Sequence, residues 1–284
     1  MRILISADME GISGIVDWAQ VMPDCADYGQ GRQLMLGDVN AAVNGAFVGG
    51  AEAVTVADAH YLGRNLLLDG LDTRARLQSG SPSPHGMLTG IDDQPPYDAL
   101  QPPYDALVFV GYHAMAGAKK AILCHTWSNT TVSGVWLNGQ AVGEIGLNAM
   151  TGAYFSLPVI ALTGDRVACL EAQNLLGAGV EVAVVKQATG RYAAECLPLG
   201  EARERICIAV SGAVRKALAG NGPKPWSVAA PIALEVEFFY PEQAERAFLV
   251  PGTERRSGTR LAYEAPDAMV AYRAFRAMVG LGRG

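Results

Sequence analysis

Four histidines and five cysteines are all the imidazoles and thiols in this chain of 284 residues, and the cysteines do not group. Cys25, Cys124, Cys169, Cys196 and Cys207 are odd in number, scattered and without a C-x-x-C pair, which suits reduced thiols and excludes a cysteine zinc knuckle. Long apolar runs are missing too. None approaches the length of a membrane span, and Arg2-Ile3-Leu4-Ile5-Ser6 is too short and too weakly basic for a signal segment. Neither sign of charge dominates: 22 basic against 28 acidic residues, net −6, lie without long runs. That argues against non-specific nucleic-acid binding and against a polybasic membrane anchor, so the expected setting is the cytoplasm, with no nucleic acid and no membrane as partner. Common catalytic signatures are absent as well: there is no H-E-x-x-H, no G-x-S-x-G and no Walker sequence, and Gly29-x-Gly31 lacks its third glycine. Any metal must therefore be held by histidine and carboxylate.

What is present is a 50% hydrophobic chain, enough for a large core in one large domain or two unequal ones. Ile3 to Ala7 reads as a short buried strand, Leu34 to Phe47 recurs at helical spacing up to Gly49-Gly50, and Ala53 to Ala57 is a second buried strand. Strand, helix, strand in this compass is a right-handed βαβ unit with parallel strands. Further strands are expected at Ala106–Val110, Ala121–Cys124, Val159–Thr163 and Val182–Val185, with a hairpin through Asn138-Gly139 and a helix opening at Glu144. Gln94 to Leu100 and Gln101 to Leu107 both read QPPYDAL. Only the second copy runs straight into an apolar strand, so the first is expected as exposed, mobile extra loop. From about Arg191 the pattern changes: Glu201 to Ala219 is amphipathic, Pro231 to Phe239 alternates, and Pro241 and Pro266 stand where helices would begin. The expected fold is α/β, a mostly parallel open sheet with helices on both faces (residues 1–190), plus a smaller C-terminal α+β domain (residues 191–284).

The chemistry-bearing residues sit at strand ends. Asp8 and Glu10, two apart just after the first strand, can face one side. Two like charges that close need a cation or a shared proton. His60, His113 and His125 each stand just past a short apolar strand, and Glu144 opens a helix. The carboxyl ends of an open parallel sheet share one edge, where ligands bind. Three carboxylates with two or three imidazoles exceed the usual four ligands of one zinc and fit two divalent ions bridged by a carboxylate; softness favours zinc, while manganese or cobalt could use the same donors. Elsewhere, Asp58 is equally an orienter of His60 or a turn acceptor, Asp165 is expected to cap a helix, Cys124 to be a structural thiol, and His85 to be a surface loop residue.

Five motifs in order, Ser6-Ala7-Asp8-Met9-Glu10-Gly11-Ile12-Ser13-Gly14, Asp58-Ala59-His60, Gly111-Tyr112-His113, His125 and Val142-Gly143-Glu144-Ile145-Gly146-Leu147-Asn148-Ala149, resemble the DppA-type zinc-dependent D-aminopeptidases of bacterial dipeptide-permease operons. Weaker likeness, through Val185-Lys186-Gln187 and Pro251-Gly252-Thr253-Glu254, extends it over nearly the whole chain. The resemblance implies Asp8, Glu10, His60, His113 and Glu144 as ligands of two zinc ions per subunit, Asp8 bridging them. It implies His125 as the catalytic residue outside the metal shell, and short peptides with N-terminal D-residues such as D-Ala as substrates. It also implies a homo-oligomer, a ring-like decamer with inward-facing sites. The repeated heptapeptide and a wider spacing from His113 to His125 depart from the family pattern. Two other functions use the same donors: a two-metal phosphoesterase, and a metal-bearing peptide-binding oligomer without turnover.

Overall fold

A computed structural model describes residues 1–91 and 104–284. The first heptapeptide copy, Gln94 to Leu100, lies outside the described residues.

β1 (Arg2–Ala7), α1 (Tyr28–Gly49) and β2 (Ala53–Asp58) form the expected βαβ unit, and Gly50, at φ 105°, closes the helix. β3 (Ala75–Gln78) extends the sheet past β2, and β4 (Ala106–Tyr112) pairs with the other side of β1. β5 (Val132–Leu137) and β6 (Gln140–Ala141) make the hairpin through Asn138 and Gly139, both at positive φ as a tight two-residue turn requires. α2 (Glu144–Tyr154) leads to β7 (Val159–Asp165), α3 (Arg166–Leu176) and β8 (Glu181–Gly190), another parallel unit, with β9 (Ala193–Cys196) antiparallel at its edge. α4 (Leu199–Leu218) precedes β10 (Ile232–Phe238), α5 (Pro241–Ala247), β11 (Thr253–Arg255), β12 (Arg260–Ala265) and α6 (Ala268–Arg283).

The strands form two sheets. Seven run in the order β3-β2-β1-β4-β7-β8-β9, parallel except for β9, and five run antiparallel in the order β11-β12-β10-β5-β6. The central parallel strands are buried on both faces, which is why they read as continuous apolar runs rather than alternating ones. Ile3, Ile5, Val108 and Val110 face a core shared with α1 and α4, while Leu4, Leu107, Phe109 and Leu162 face a second core that also takes in α2, α3, α6 and the antiparallel sheet. In β10 the alternation expected from its sequence holds: Ile232, Leu234, Val236 and Phe238 are buried and Ala233 is exposed. The chain passes between the sheets more than once. Val132–Leu137 lies beside β10, and α4 packs along α1, so no single cut separates the two sheets.

Two local expectations are overturned. Ala121 to Cys124 is not a strand but a turn, because the Ile122 N–H donates to Asp165 Oδ2 at 2.7 Å and Leu123 adopts φ 47°. Pro266 does not open a helix; Asp267 caps α6 instead, its side chain accepting from Val270 N at 2.8 Å.

Strand order places one topological switch at the middle of the large sheet: successive strands run outward from β1 on one side and from β4 on the other. The carboxyl ends of β1, β2 and β4 therefore open on one crevice.

Candidate metal centre

Asp8 and Glu10 follow β1 directly, His60 follows β2, His113 follows β4, His125 lies on the loop between β4 and β5, and Glu144 is the first residue of α2. The structure brings all six together. Three overlapping groups, Asp8 with Glu10 and His60, Asp8 with His113 and Glu144, and Glu10 with His113 and His125, each offer ligand atoms within 4.8 Å of one another. Asp8, Glu10 and His113 each belong to two of them, and either carboxylate of the three could be shared between neighbouring ions.

The first loop is set close against β4. Gly11 N donates to Gly111 O at 2.7 Å, and a Cβ on Gly11 would lie 2.0 Å from Tyr112 O. Glycine stands after the two acids because β4 backbone occupies the space of a side chain. Lys186, fully buried on β8, fixes the same loop by donating to Glu10 O at 2.6 Å, Ile12 O at 2.7 Å and Ile15 O at 2.6 Å.

Each histidine is oriented by a backbone carbonyl, which accepts only and so fixes the tautomer of the neutral ring. His60 Nε2 donates to Val21 O at 2.9 Å, leaving Nδ1 toward Asp8 Oδ1 at 3.0 Å and Glu10 Oε2 at 3.2 Å. His113 Nδ1 donates to Ala114 O at 3.0 Å, leaving Nε2 3.5 Å from Asp8 Oδ2 and 3.3 Å from Glu144 Oε1. His125 Nδ1 donates to Leu123 O at 2.9 Å, leaving Nε2 3.6 Å from Glu144 Oε1. A neutral imidazole lone pair aimed at carboxylates is repulsive, so either a proton or a metal cation must lie between them. Asp8 Oδ2, Glu10 Oε2 and His113 Nε2 are buried with no hydrogen-bond partner, as donors reserved for a cation would be. The residues therefore fit a divalent metal.

The electrostatics agree. Burial pushes Asp8 up to about 7, and the charge of Glu10 adds to this. Burial also opposes ionisation of Glu10, but the charge and hydrogen bond of His60, with His113 and His125, outweigh it and hold Glu10 well below the usual carboxylate range. Burial lowers His60 and His113, yet the facing carboxylates, Glu10 foremost for His60 and Glu144 for His113, leave both well above an ordinary histidine. His125 behaves oppositely: burial and then the His113 charge bring it to about 4.

The site opens into a cavity of about 550 Å³ whose wall includes Trp18, Tyr61, Trp127, Arg276 and Arg283. Trp18 meets the His125 ring edge-on at 5.4 Å, and Trp127 N donates to Glu144 Oε1 at 2.7 Å.

Other residues have different duties. Asp58 accepts from Asn65 N at 2.5 Å and Leu66 N at 2.7 Å, so it closes the loop after β2, while the ring of His60 is oriented by Val21. Asp165 caps α3 through Val167 N and Ala168 N, both at 2.8 Å, and its second oxygen holds the turn before His125. Cys124 Sγ turns to Ala118 O at 3.5 Å. His85 is not at the surface: it is buried, with its ring edge-on to Phe155 at 5.1 Å. Sequence reading missed Lys186, Trp127 and the three orienting carbonyls. A lysine directly after the apolar run Val182–Val185 within a strand was the one available signal for the first.

Residues 1–277 match the family model described as D-aminopeptidase. A D-aminopeptidase of Bacillus subtilis (strain 168) is 33% identical over 285 residues, covering 99% of this chain and 97% of that protein. A solved structure, the Zn-dependent D-aminopeptidase DppA from Bacillus subtilis, described as a self-compartmentalizing protease, has a TM-score of 0.89 at 34% identity, covering 100% of this chain and 98% of that one.

Proposed function

Because the chain belongs to the D-aminopeptidase family, we propose that it releases N-terminal D-amino acids, such as D-Ala, from short peptides. The observation that carries this reading is the convergence of three carboxylates and three imidazoles whose inward donor atoms face one another. Asp8, Glu10, His60, His113 and Glu144 would hold two zinc ions per subunit. When bound, the ions supply a water of lowered pKa and polarise the scissile carbonyl.

The protein's own groups do the rest. His125 keeps its proton on Nδ1, held by Leu123 O, so Nε2 is the basic atom and faces the cavity beside Glu144. It takes a proton from the attacking water there and returns it to the leaving amine. Trp127 N–H and the carbonyls of Val21, Ala114 and Leu123 hold the reacting side chains in one arrangement. Trp18 and Trp127 shield the site from water at the cavity wall.

No helix among the described residues is long and apolar enough to cross a membrane. We read the protein as cytoplasmic and as a homo-oligomer, a decamer, which mass measurement in solution tests. The functional test supplies zinc to the purified protein and compares a D-Ala peptide, its L-Ala counterpart and a generic phosphate ester. Release of D-Ala alone is expected; turnover of the phosphate ester alone replaces this reading with a phosphoesterase, and saturable peptide binding without turnover replaces it with a binding module.

A further inference from the structure

The cavity lined by the carboxylates is also lined by two guanidiniums that have no acidic partner among the described residues. Arg276 and Arg283, both on α6, line the same cavity as Asp8, Glu10 and Glu144. Among the described residues no carboxylate forms an ion pair with either. Neither arginine is loose. Arg276 lies over the Trp127 ring at 4.6 Å and donates from Nη1 to Tyr272 Oη at 2.9 Å; Arg283 donates from Nη2 to Trp127 O at 3.1 Å.

Trp127 therefore joins the two ends of the cavity. Its N–H binds Glu144 at 2.7 Å and its carbonyl binds Arg283 at 3.1 Å. One residue of backbone spans at most about 3.6 Å, so the Arg283 guanidinium lies within roughly 10 Å of the Glu144 carboxylate. Burial and then the charge of Arg276 lower Arg283, whereas the charge of Glu144 raises it, as expected for two cations close together with an acid in range. Each keeps N–H groups beyond those it uses on Tyr272 and Trp127, in the fork geometry that suits a carboxylate.

We infer that Arg276 and Arg283 form a subsite for the free α-carboxylate of a short peptide, one or two residues beyond the scissile bond. Each residue of extended peptide advances about 3.5 Å, so one or two fill the interval between the metal centre and the arginines. A longer peptide, or one with a blocked carboxyl terminus, cannot place a carboxylate there. This rests on the aminopeptidase reading and narrows its substrate to di- and tripeptides with a free terminus.

The test measures kcat and KM for D-Ala-Gly, D-Ala-Gly amide and D-alaninamide with the zinc-loaded wild-type protein and with Arg283→Gln, Arg276→Met and the double variant. Wild-type protein is expected to prefer the free acid over its amide by about 10- to 100-fold in kcat/KM, chiefly through KM, the range for charge-assisted hydrogen bonds. In the double variant that ratio should fall to near one. Arg283→Gln, at an exposed position, should lower the ratio even if Arg276→Met fails to fold. D-alaninamide has nothing beyond the scissile bond and reports the reaction itself. If wild-type protein turns over none of the three, the proposed function falls and this inference with it. If D-alaninamide is cleaved while acid and amide are equal in wild type, or the ratio survives in the double variant, the carboxylate subsite alone is overturned.

Discussion

The rings of His113 and His125 stack, their centroids 4.0 Å apart and their planes 12° from parallel, yet they face different company. His113 Nε2 sits between Asp8 and Glu144, whereas among the described residues Glu144 is the one carboxylate within 4.0 Å of His125 Nε2. The pair divides into a ligand candidate and a proton carrier. His125→Ala should keep its bound zinc and lose roughly 10²- to 10⁴-fold in kcat, the usual share of a general acid or base. His113→Ala should lose metal as well as activity. Metal content of the purified variants beside D-Ala release distinguishes the two; zinc loss from His125→Ala would instead make His125 a ligand, as its grouping with Glu10 and His113 allows.

Without metal, the carboxylates hold His60 and His113 in the protonated state at neutral pH. A metal can use only the neutral rings, so binding must expel their protons. Titrating zinc into chelator-treated protein at pH 7, in weak buffer with an indicator, should release about two protons per subunit from these rings. The number should fall as pH is raised, because the rings then lose their protons before the metal arrives. Metal uptake with no acidification would mean that His60 and His113 are not ligands.

Much of this site was legible in the sequence because strand ends are. β1, β2 and β4 are continuous apolar runs since helices or the second sheet cover both faces, and the residues just after these runs lie at the crevice. Ala121 to Cys124 looked the same in sequence but is a turn, since the Ile122 N–H goes to Asp165, 43 residues further along the chain. The carbonyls of Val21, Ala114 and Leu123 that orient the histidines leave no trace in side-chain identity. Nor does sequence announce that β5 will pair directly with β10, because that pairing is set by tertiary packing.

Glu171, on α3, is buried; its Oε2 accepts from Met115 N at 2.8 Å, while Oε1 has no partner. Burial raises its pKa from 4.5 to about 7, only partly opposed by the Met115 N–H. The raised value means that the folded state holds a proton the unfolded chain releases. This contribution is fully present below about pH 4.5 and is lost as pH rises through about 7, at most about 3 kcal/mol in all. Glu171→Gln abolishes that dependence. Urea midpoints should show the variant increasingly more stable than wild type from pH 5 to pH 8, and a gap that does not change with pH would remove the assignment.

Lys186 spends all three of its ammonium protons on the carbonyls of Glu10, Ile12 and Ile15, so the loop that carries Glu10 is tied to β8 as well as to β4. Burial lowers the lysine only to about 8, so at neutral pH it keeps the charge and all three donors. Lys186→Met fills nearly the same volume but leaves three buried carbonyls to compete for water that cannot reach them. A loss of about 3–5 kcal/mol in unfolding free energy is expected. Because Glu10 shares the loop, zinc affinity should also weaken at least about 10-fold, the effect typical of removing support behind a metal ligand. Isothermal titration with zinc below the variant's unfolding temperature separates these effects: reduced stability with unchanged zinc affinity would make Lys186 a brace for the fold alone.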